Sequence, residues 1–456
     1  MTAIRIIGPL EPTFAWDGCR LYDAADLGPA VPVPADLRGA ASVVQGDRAG
    51  NYRILRDPLG INTLFWGYDA AGTVAFATKP RALVAAGIPF DDIFAIPSGC
   101  VLDVNPSQPR SHRWSLVPLA WRSVNPPVRQ GLEENAASVR TALDGYLAAV
   151  AGAAADARVF VCLSGGLDSS GIAAIARRHF SDLTAISFDL ARPGGRSSED
   201  RRTAERLAMD LDIPLWSVTV TEDELFAHLD TVLADGIDWR DFNVHASLVN
   251  AALAAHIDRE LPATAGAARR MVLTGDLANE FLADYHPEHY NGRTYYGLPR
   301  LSGAALRASL VRGLGTSHRE IGVFAAWGLE AIQPYAVAVD AYMALTDPFF
   351  DQDDRKQQLC RAIFGELLPE YVYARKKARA QVGDAQTGSG VLSAAINRGI
   401  DAAWLRKRFA ELHGITDGKR LDRFLRAGHY RSAIPFEHQE VTTWRNSSPD
   451  SATAIP

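Results

Sequence analysis

The feature that most constrains the fold is a glycine-rich turn between an apolar segment and a run of small helix-forming residues. The apolar segment is RVFVCL at 158–163, the turn is SGGLDSS at 164–170, and GIAAIA follows it. Two adjacent glycines let the backbone approach a ligand closely, and serine hydroxyls and amides at a helix start are donors for phosphate oxygens. The order therefore predicts a strand, an anion-binding loop and a helix.

Asp168 within this turn indicates which kind of anion is bound. A lone carboxylate repels phosphate, so its presence is best explained if a Mg²⁺ ion joins it to a polyphosphate. The pattern GxxxxGK[ST] is absent from the sequence, and with it the lysine that serves chemistry at a γ-phosphate. We therefore expect cleavage between the α- and β-phosphates. The alternative is a tight turn with a serine cap, which the order of seven residues after a buried strand disfavours.

The segments around the turn alternate between strands and helices. Residues 132–157 have the composition and spacing of one long helix. LTAISFDL, LWSVTV and MVLTGDL follow the turn as apolar strand segments. This alternation predicts a parallel sheet with helices on both faces, followed by a largely helical chain beyond about residue 301.

The first part of the chain has a different pattern. NYRIL, TLFWGY and TVAFAT are short aromatic and β-branched segments bounded by Gly, Pro and Asp, which is typical of antiparallel strands. Pro126 and Pro127 forbid regular structure between the two patterns. Because 456 residues exceed one hydrophobic core, we predict domains at 1–125 and 126–435, with a loose tail at 436–456.

Charge and cysteine content exclude several classes of protein. Lys and Arg total 47 against 53 Asp and Glu, a net charge of −6, which leaves no polycationic surface for nucleic acid or anionic lipid. The four cysteines form no CxxC pair, so neither a zinc cluster nor a dense disulfide framework is indicated. The sequence contains no run of about 18 apolar residues, so a membrane-spanning segment is not expected. We expect a cytoplasmic protein with no nucleic-acid or membrane partner, and a homodimer is left open.

With its surroundings, SGGLDSS resembles the pyrophosphate-binding loop of the adenylating ATPases, in the asparagine synthetase branch that includes β-lactam synthetases and lasso-peptide cyclases. The resemblance spans most of the chain. The other segments that carry it are RDPLG at 56–60, IPSG at 96–99, TGDLANE at 274–280, GLEAIQPY at 328–335, and Lys356 with LP at 368–369 and RKK at 375–377.

The resemblance implies an α/β fold in two parts. The N-terminal part would be an antiparallel, β-rich sandwich of the N-terminal-nucleophile (Ntn) type, a degenerate class II glutaminase-like domain. The C-terminal part would be a doubly wound parallel-sheet ATPase domain with a helical extension. In that family a carboxylate attacks the α-phosphate of ATP, pyrophosphate leaves, and an amine then displaces AMP to form an amide. The implied cofactors are ATP and Mg²⁺, and the implied partners are a small-molecule or peptide carboxylate and an amine.

The resemblance also implies roles for particular residues. Lys377, Asp276 and Glu330 are the catalytic candidates, and Asp168 and Asn279 are the candidate metal ligands. The candidate nucleotide-binding residues are Leu163, Ser164, Gly165, Gly166, Asp168, Ser169, Ser170, Phe188, Thr274 and Gly275.

The segment DYHPEHYNGR at 284–293 is dense in polar aromatic residues. Pro287 breaks the helix that would bring His286 and His289 to metal-ligand spacing, so a metal site is disfavoured. We expect substrate contact here, with Tyr285 and Arg293 as the candidates, and a plain surface loop is the alternative.

Three departures from the family narrow the reaction. Thr2 stands where the glutamine-hydrolysing members expose a cysteine, so glutamine is not the expected nitrogen source. Asn279 replaces an aspartate and is a weaker metal ligand, which leaves the number of metal ions open. Asp276 is one methylene shorter than the family's glutamate at the position facing the amine, and Ala283-Asp284 replaces a Gly-Gly pair. These changes indicate an acceptor that is neither ammonia nor the β-lactam precursor.

The sequence as a whole predicts an ATP-dependent amide ligase in specialised metabolism, such as antibiotic biosynthesis. Two alternatives stay open. One is a lasso-type cyclase, in which the carboxylate and the amine lie on one peptide. The other is a non-catalytic regulator that senses ATP through the same loop. A thiolating or tRNA-modifying ATPase is disfavoured because cysteine pairs and a basic face are missing.

Overall fold

The chain forms two compact units. The first contains Met1–Asn125, Ala308–His318 and the chain from Ala410, and the second contains Pro126–Arg307 and Arg319–Phe409. The computed structural model describes residues 4–29, 31–105, 114–118, 129–192, 194–195, 197–263, 268–285, 287–296, 301–311, 313–314, 318–375, 390–418 and 421. The predicted connector prolines Pro126 and Pro127 and the predicted tail at 436–456 lie outside these residues.

The first unit is built mainly from antiparallel strands, as predicted for this part of the chain. Its sheets have the strand orders β1-β8-β7-β9, β11-β10-β6-β5 and β3-β2-β4, in which only β1 and β8 pair in parallel. The elements are β1 (Ile4–Ile6), β2 (Phe14–Trp16), β3 (Leu21–Tyr22), β4 (Arg38–Ala40), β5 (Ser42–Gly46), β6 (Tyr52–Arg56), β7 (Phe65–Tyr68), β8 (Val74–Ala77), α1 (Pro80–Ala85), β9 (Phe94–Ala95), β10 (Cys100–Val104) and β11 (Trp114–Pro118).

Two of these sheets share one core and form a sandwich. Val44, Ile54 and Leu102 from one sheet pack with Trp66 and Phe76 from the other. The shared core takes alternate residues along each strand, as the pleat requires, and the intervening residues Val43, Leu55 and Ala75 are buried as well. The sandwich agrees with the predicted architecture of the N-terminal part.

The RDPLG motif ends β6 with a buried turn. Arg56 donates hydrogen bonds to the carbonyl oxygens of Asn62 and Ile96, both at 2.7 Å, and Asp57 accepts from the backbone N–H groups of Ile61 at 2.8 Å and Asn62 at 3.0 Å. Burial raises the pKa of Asp57 to about 6. Both side chains therefore satisfy backbone groups of the turn, and this motif supports the sandwich.

The second unit contains a five-stranded parallel sheet with the order β14-β13-β12-β15-β18. The first strand, β12, lies in the centre, with β13 on one side at the register Val159 to Leu183 and β15 on the other at Val159 to Met271. The chain therefore winds outward in both directions from β12. The strands are β12 (Arg158–Cys162), β13 (Leu183–Leu190), β14 (Leu215–Val220), β15 (Arg270–Leu273) and β18 (Glu330–Ile332), with a hairpin of β16 (Glu288–Tyr290) and β17 (Arg293–Tyr295).

Helices connect and cover these strands. The helices after α1 are α2 (Leu132–Ala153), α3 (Leu167–Ala176), α4 (Glu199–Asp210), α5 (Glu222–Phe226), α6 (Leu229–Asp235), α7 (Asp241–Glu260), α8 (Ala278–Leu282), α9 (Gly303–Val311), α10 (His318–Ala325), α11 (Val339–Ala344), α12 (Asp347–Phe350), α13 (Arg355–Phe364), α14 (Glu370–Ala374), α15 (Val391–Asn397) and α16 (Ala402–His413). Among the described helices, none is long and apolar enough to cross a membrane. The predicted α/β class, with antiparallel sheets and a doubly wound parallel sheet, is confirmed.

In doubly wound sheets, ligands bind at the carboxyl ends of the strands where the winding reverses. Here the winding reverses between β12 and β15, so this edge is where a site is expected.

Candidate active site

The SGGLDSS segment forms the turn between β12 and α3, as its pattern predicts. Gly165 has φ +71°, and a Cβ on it would lie 2.6 Å from the Thr203 side chain, so glycine is required on both counts. The backbone N–H of Ser164 donates to Ser169 Oγ at 3.2 Å, and that of Gly166 donates to Ser164 Oγ at 3.3 Å. The loop's own serines therefore hold its shape at the positive end of α3.

A second turn, after β15, lies directly against this loop. A Cβ added to Gly275 would be 2.6 Å from the Ser169 nitrogen and 2.9 Å from the Asp168 carbonyl carbon. Such an approach excludes any side chain, so the TGD turn and the start of α3 pack backbone to backbone. Two motifs more than a hundred residues apart in the sequence are thereby brought together.

Both turns line a cavity of about 630 Å³, within the size range of small-molecule sites. Of the predicted nucleotide-binding residues, those in the cavity wall are Leu163, Ser164, Gly165, Gly166, Asp168, Ser169, Phe188 and Gly275. Ser170 and Thr274 are buried and do not line it. Ser187 of β13, which sequence reasoning missed, lines the cavity with a buried Oγ that has no hydrogen-bond partner among the described residues.

Lys356 of α13 joins the two predicted metal ligands. Its Nζ bonds Asp168 Oδ2, and it donates to Asn279 Oδ1 at 2.5 Å. Burial lowers the pKa of Lys356, but the carboxylates of Asp168 and Asp284 outweigh burial, so the net pKa is raised and the ammonium is charged. Asp168 Oδ1 is buried and has no hydrogen-bond partner among the described residues. The oxygen donors suit Mg²⁺, and no group of three His, Cys, Asp or Glu suited to a metal occurs among those residues.

Another part of the cavity contains a cluster of charged side chains around Arg319 of α10. Its guanidinium lies 3.5 Å from Asp276 and 3.0 Å from Glu280, and it also bonds Glu320. Glu280 accepts a hydrogen bond from the Tyr285 hydroxyl. Asp276 keeps 32% of its side chain exposed and lines the cavity, as does Tyr285, whereas Glu280 is almost fully buried.

Burial sets the protonation of this cluster. It raises the pKa of Glu320 well above its ordinary value; Arg319 opposes this, and the neighbouring Asp276 carboxylate adds to it. Low solvation likewise raises the pKa of Asp276, against the effect of Arg319. Burial also raises the pKa of Glu280, but Arg319 and Tyr285 outweigh it, so the net pKa is lowered. Asp276 and Glu320 therefore each bind a proton more tightly than an exposed carboxylate does, which makes either one, when ionised, a proton acceptor of raised basicity.

Sequence reasoning missed Arg319 and Glu320 because nothing in the segment around them marks a site. They come near Asp276 only in the folded chain, through the ion pairs that Arg319 makes with Asp276 and Glu320. A buried Arg-Glu pair at the start of a helix is ordinarily a structural ion pair, and proximity to the TGD turn is the signal that distinguishes it here.

The RKK segment is described only at its first residue. Arg375 lines the cavity, donates to the Ser164 carbonyl at 3.1 Å, pairs with Asp200 and lies 3.5 Å from Glu199. It therefore ties the end of α14 to the loop. Lys377, the predicted catalytic lysine, lies outside the described residues.

Glu330, a predicted catalytic residue, is not among the residues that line the cavity. Glu330 begins β18, and its carboxylate binds Arg269 at 2.6 and 3.1 Å. The β18 strand enters the sheet at this residue, so Glu330 lies at the opposite end from the carboxyl edge. The useful part of the GLEAIQPY motif is instead Tyr335, whose hydroxyl donates to the Asp168 carbonyl at 3.3 Å.

The polar aromatic segment forms the hairpin β16–β17. Arg293 is exposed there and does not line the cavity, so the structure does not support it as a substrate residue. His289 lies 3.1 Å from Thr294 Oγ1 on the same hairpin. His286 lies outside the described residues. Tyr285 is the one of the two substrate candidates that reaches the cavity.

A loop with a carboxylate between a central parallel strand and a helix, beside a cavity at the carboxyl edge of the sheet, is typical of nucleotide-binding α/β domains. Residues 141–321 match the family model for asparagine synthase. The predicted resemblance to the asparagine synthetase family is confirmed over this range, which contains the loop, the TGD turn, Arg319 and Glu320. The match supports an ATP-dependent amide ligase in general terms.

Two solved structures are similar to the chain at low level. NMN synthetase from Francisella tularensis has 14% sequence identity and a TM-score of 0.29, covering 64% of this chain and 96% of its own. Glutamine-dependent NAD⁺ synthetase from Acinetobacter baumannii, in complex with ADP, has 13% identity and a TM-score of 0.30, covering 70% of this chain and 48% of its own. At such scores the likeness carries no inference about function. Comparison with curated proteins gave no match.

Proposed function

We propose that the protein is an AMP-forming carbon–nitrogen ligase that adenylates a substrate carboxylate, releases pyrophosphate and transfers the acyl group to a nitrogen nucleophile other than glutamine-derived ammonia, in specialised metabolism. The observation that carries the proposal is that one cavity contains both a phosphate-binding loop with Asp168 and Lys356 and a carboxyl cluster with Asp276. The two steps of such a reaction require these two kinds of group side by side.

The first step needs donors and positive charge beside the triphosphate. Loop amides at the start of α3 are suited to bind phosphate oxygens, and the Lys356 ammonium supplies a fixed positive charge. Mg²⁺ bound through Asp168 would neutralise further charge on the triphosphate. A carboxylate oxygen of the substrate attacks the α-phosphorus, and the bond to the β-phosphate oxygen breaks to release pyrophosphate. Lys377 keeps its proposed role at this step on the strength of the resemblance alone.

The second step needs a base for the attacking amine. As the amine nitrogen bonds the acyl carbon, the carbon–oxygen bond to AMP breaks, and one amine proton must be removed. Asp276 lines the cavity with 32% of its side chain exposed, the Arg319 guanidinium lies 3.5 Å from it, and Arg319 also pairs with Glu320. We assign proton acceptance to Asp276 and orientation of its carboxylate to Glu320 and Arg319.

The reaction can be tested by a pyrophosphate-release screen over amino acids and peptides with varied amines. We expect release with a carboxylate and amine pair and none with glutamine alone. Asp168→Ala should abolish release while the folded state remains, because the loop loses its carboxylate. Asp223→Ala, which removes an 88% exposed carboxylate on α5 outside the cavity, should leave release unchanged.

Full release by Asp168→Ala would refute the site. Nucleotide binding without release under every substrate would favour an ATP-sensing regulator, and stimulation only by precursor peptides would favour the cyclase.

A further inference from the structure

We propose that Lys356 is a built-in cation at the metal site, so that the protein holds a single divalent ion, through Asp168, and only when nucleotide is present. The inference deepens the proposed function and rests on it only for the nucleotide-bound state. It assigns Asn279 as an anchor for the lysine and not as a metal ligand.

The contacts of Lys356 carry the proposal. Its ammonium binds an oxygen of each predicted metal ligand, Asp168 Oδ2 and Asn279 Oδ1. The Lys356 side chain is 10% exposed and that of Asp168 is 15% exposed, so water screens this contact little. A cation bound to these two oxygens competes directly with a metal ion for them.

Lys356 binds only one of the two carboxylate oxygens of Asp168. Oδ1 is buried without a hydrogen-bond partner among the described residues, in the wall of the cavity that would receive the triphosphate. Mg²⁺ in nucleotide sites is commonly held by one or two carboxylates, with phosphate oxygens and water completing its shell. Asp168 Oδ1 supplies one such ligand, and the phosphates would have to supply others. The ion therefore arrives with the nucleotide.

Because position 279 is an amide and not a carboxylate, the charge of Lys356 is enough to neutralise the metal site before nucleotide binds. Asp168 and Lys356 form a neutral pair, and the nearby Asp284 carboxylate lies 4.0 Å from the Arg355 guanidinium, so the group has little net charge to attract a divalent ion to the empty site. With a second carboxylate the group would carry a net negative charge and would bind a divalent ion before nucleotide. An ammonium also has three N–H donors. Two are used here, and the third is suited to a phosphate oxygen once nucleotide is bound.

Titration of the full-length protein with Mn²⁺, followed by electron paramagnetic resonance without nucleotide, tests the proposal. Lys356→Met leaves a buried carboxylate uncompensated, so we expect its Mn²⁺ affinity to exceed that of the unmodified protein by at least about tenfold. Lys407→Met, which removes an exposed lysine on α16, should leave the affinity unchanged. With a non-hydrolysable ATP analogue, the unmodified protein should hold one Mn²⁺.

Equal Mn²⁺ binding by the unmodified protein and Lys356→Met, or two ions bound with the ATP analogue, would overturn the proposal. If circular dichroism shows that Lys356→Met is unfolded, Asn279→Asp decides in its place. It should increase nucleotide-free Mn²⁺ binding, and unchanged binding would refute the inference. Mn²⁺ binding is read without substrate or turnover, and the comparison of variants uses no nucleotide, so a failure here is distinct from a failure of pyrophosphate release in every substrate screen.

Discussion

At the scale of single residues, the distribution of charge in the cavity separates its two parts. Lys356 and Asp168 form a neutral pair beside the loop, whereas Asp276, Glu280 and Glu320 surround the single guanidinium of Arg319. Three carboxyl groups around one cation cannot all ionise cheaply in a buried cluster. The result is a raised affinity for one proton at the place where an amine would lose one.

Asp276→Asn should separate the two steps of the reaction. The variant keeps the size of the side chain and removes the proton acceptor, so we expect amide formation to fall by about 10²–10⁴-fold while ATP–pyrophosphate exchange remains near its original rate. The measurement is exchange and product formation on the same preparation. Loss of exchange to the same extent as amide formation would mean that Asp276 serves adenylation instead.

The role of Asp276 as the base predicts how the rate of amide formation depends on pH. Asp276 accepts a proton only when ionised, and its pKa is raised above that of an ordinary aspartate. Amide formation should therefore be complete above this pKa and lost as the pH falls through it, over a range higher than 3.8. The pH–rate profile of the residual activity of Asp276→Asn should lack this fall at low pH.

The site residues that the sequence predicted are those carried by a motif. Asp168 and Asp276 lie in short patterns with unusual residues, and both reach the cavity. Arg319, Glu320 and the cavity contact of Lys356 depend on contacts between elements that are far apart in the chain. Glu330 also lies in a recognisable motif, but its carboxylate pairs with Arg269 at the amino end of β18, away from the cavity.

At the scale of elements, the strand segments could be predicted closely because they are apolar, short and bounded by turns. LTAISFDL is β13 and LWSVTV is β14 over their full lengths. The turns around α8 could not be predicted in the same way. Leu277 has φ +83° and Ala283 has φ +47°, conformations that favour glycine, and only tertiary packing holds such residues there.

Gly275→Ala tests the close approach of the TGD turn to α3. A Cβ there would lie 2.6 Å from the Ser169 nitrogen, and the neighbouring atoms are backbone that cannot move without shifting the loop. We expect ATP affinity, measured by isothermal titration calorimetry, to fall at least about tenfold, a loss of ~1.4 kcal/mol.

Gly152→Ala, in α2 with nothing within 4 Å of the added Cβ, is the matched control. It should bind ATP normally and gain about 0.4–1 kcal/mol of stability from the reduced freedom of the unfolded chain. Unchanged ATP affinity in Gly275→Ala would show that the two turns do not constrain each other.

At the scale of the whole molecule, sequence order does not coincide with the compact units. The change of pattern near residue 125 predicts where the first run of chain ends, and the division at Asn125 lies there. The return of Ala308–His318 to the first unit has no sequence signal. One of its contacts is between backbone groups, the Leu314 N–H donating to the Leu59 carbonyl at 2.7 Å, and such a bond does not depend on the side chain.

A truncated chain beginning at Pro126 tests this organisation. It keeps the loop and the cavity residues, but Ala308–His318 loses the partners that it has in the first unit. Leu310 and Leu314 are buried at 1% and 6% exposure, and exposing each would cost about 1.5–3 kcal/mol. A glycine at 313, whose Cβ would meet Ser98 Oγ at 2.1 Å, shows how tightly this segment packs in the intact protein. We therefore expect the truncated chain to be less soluble and to unfold at a lower temperature than the full chain, as measured by size-exclusion chromatography and differential scanning calorimetry.

Co-expression of residues 1–125 as a separate polypeptide should restore solubility, because it returns the missing partners without restoring the covalent link. A monodisperse truncated chain with the melting temperature of the intact protein would show instead that the contacts of this segment with residues 1–125 do not contribute to stability.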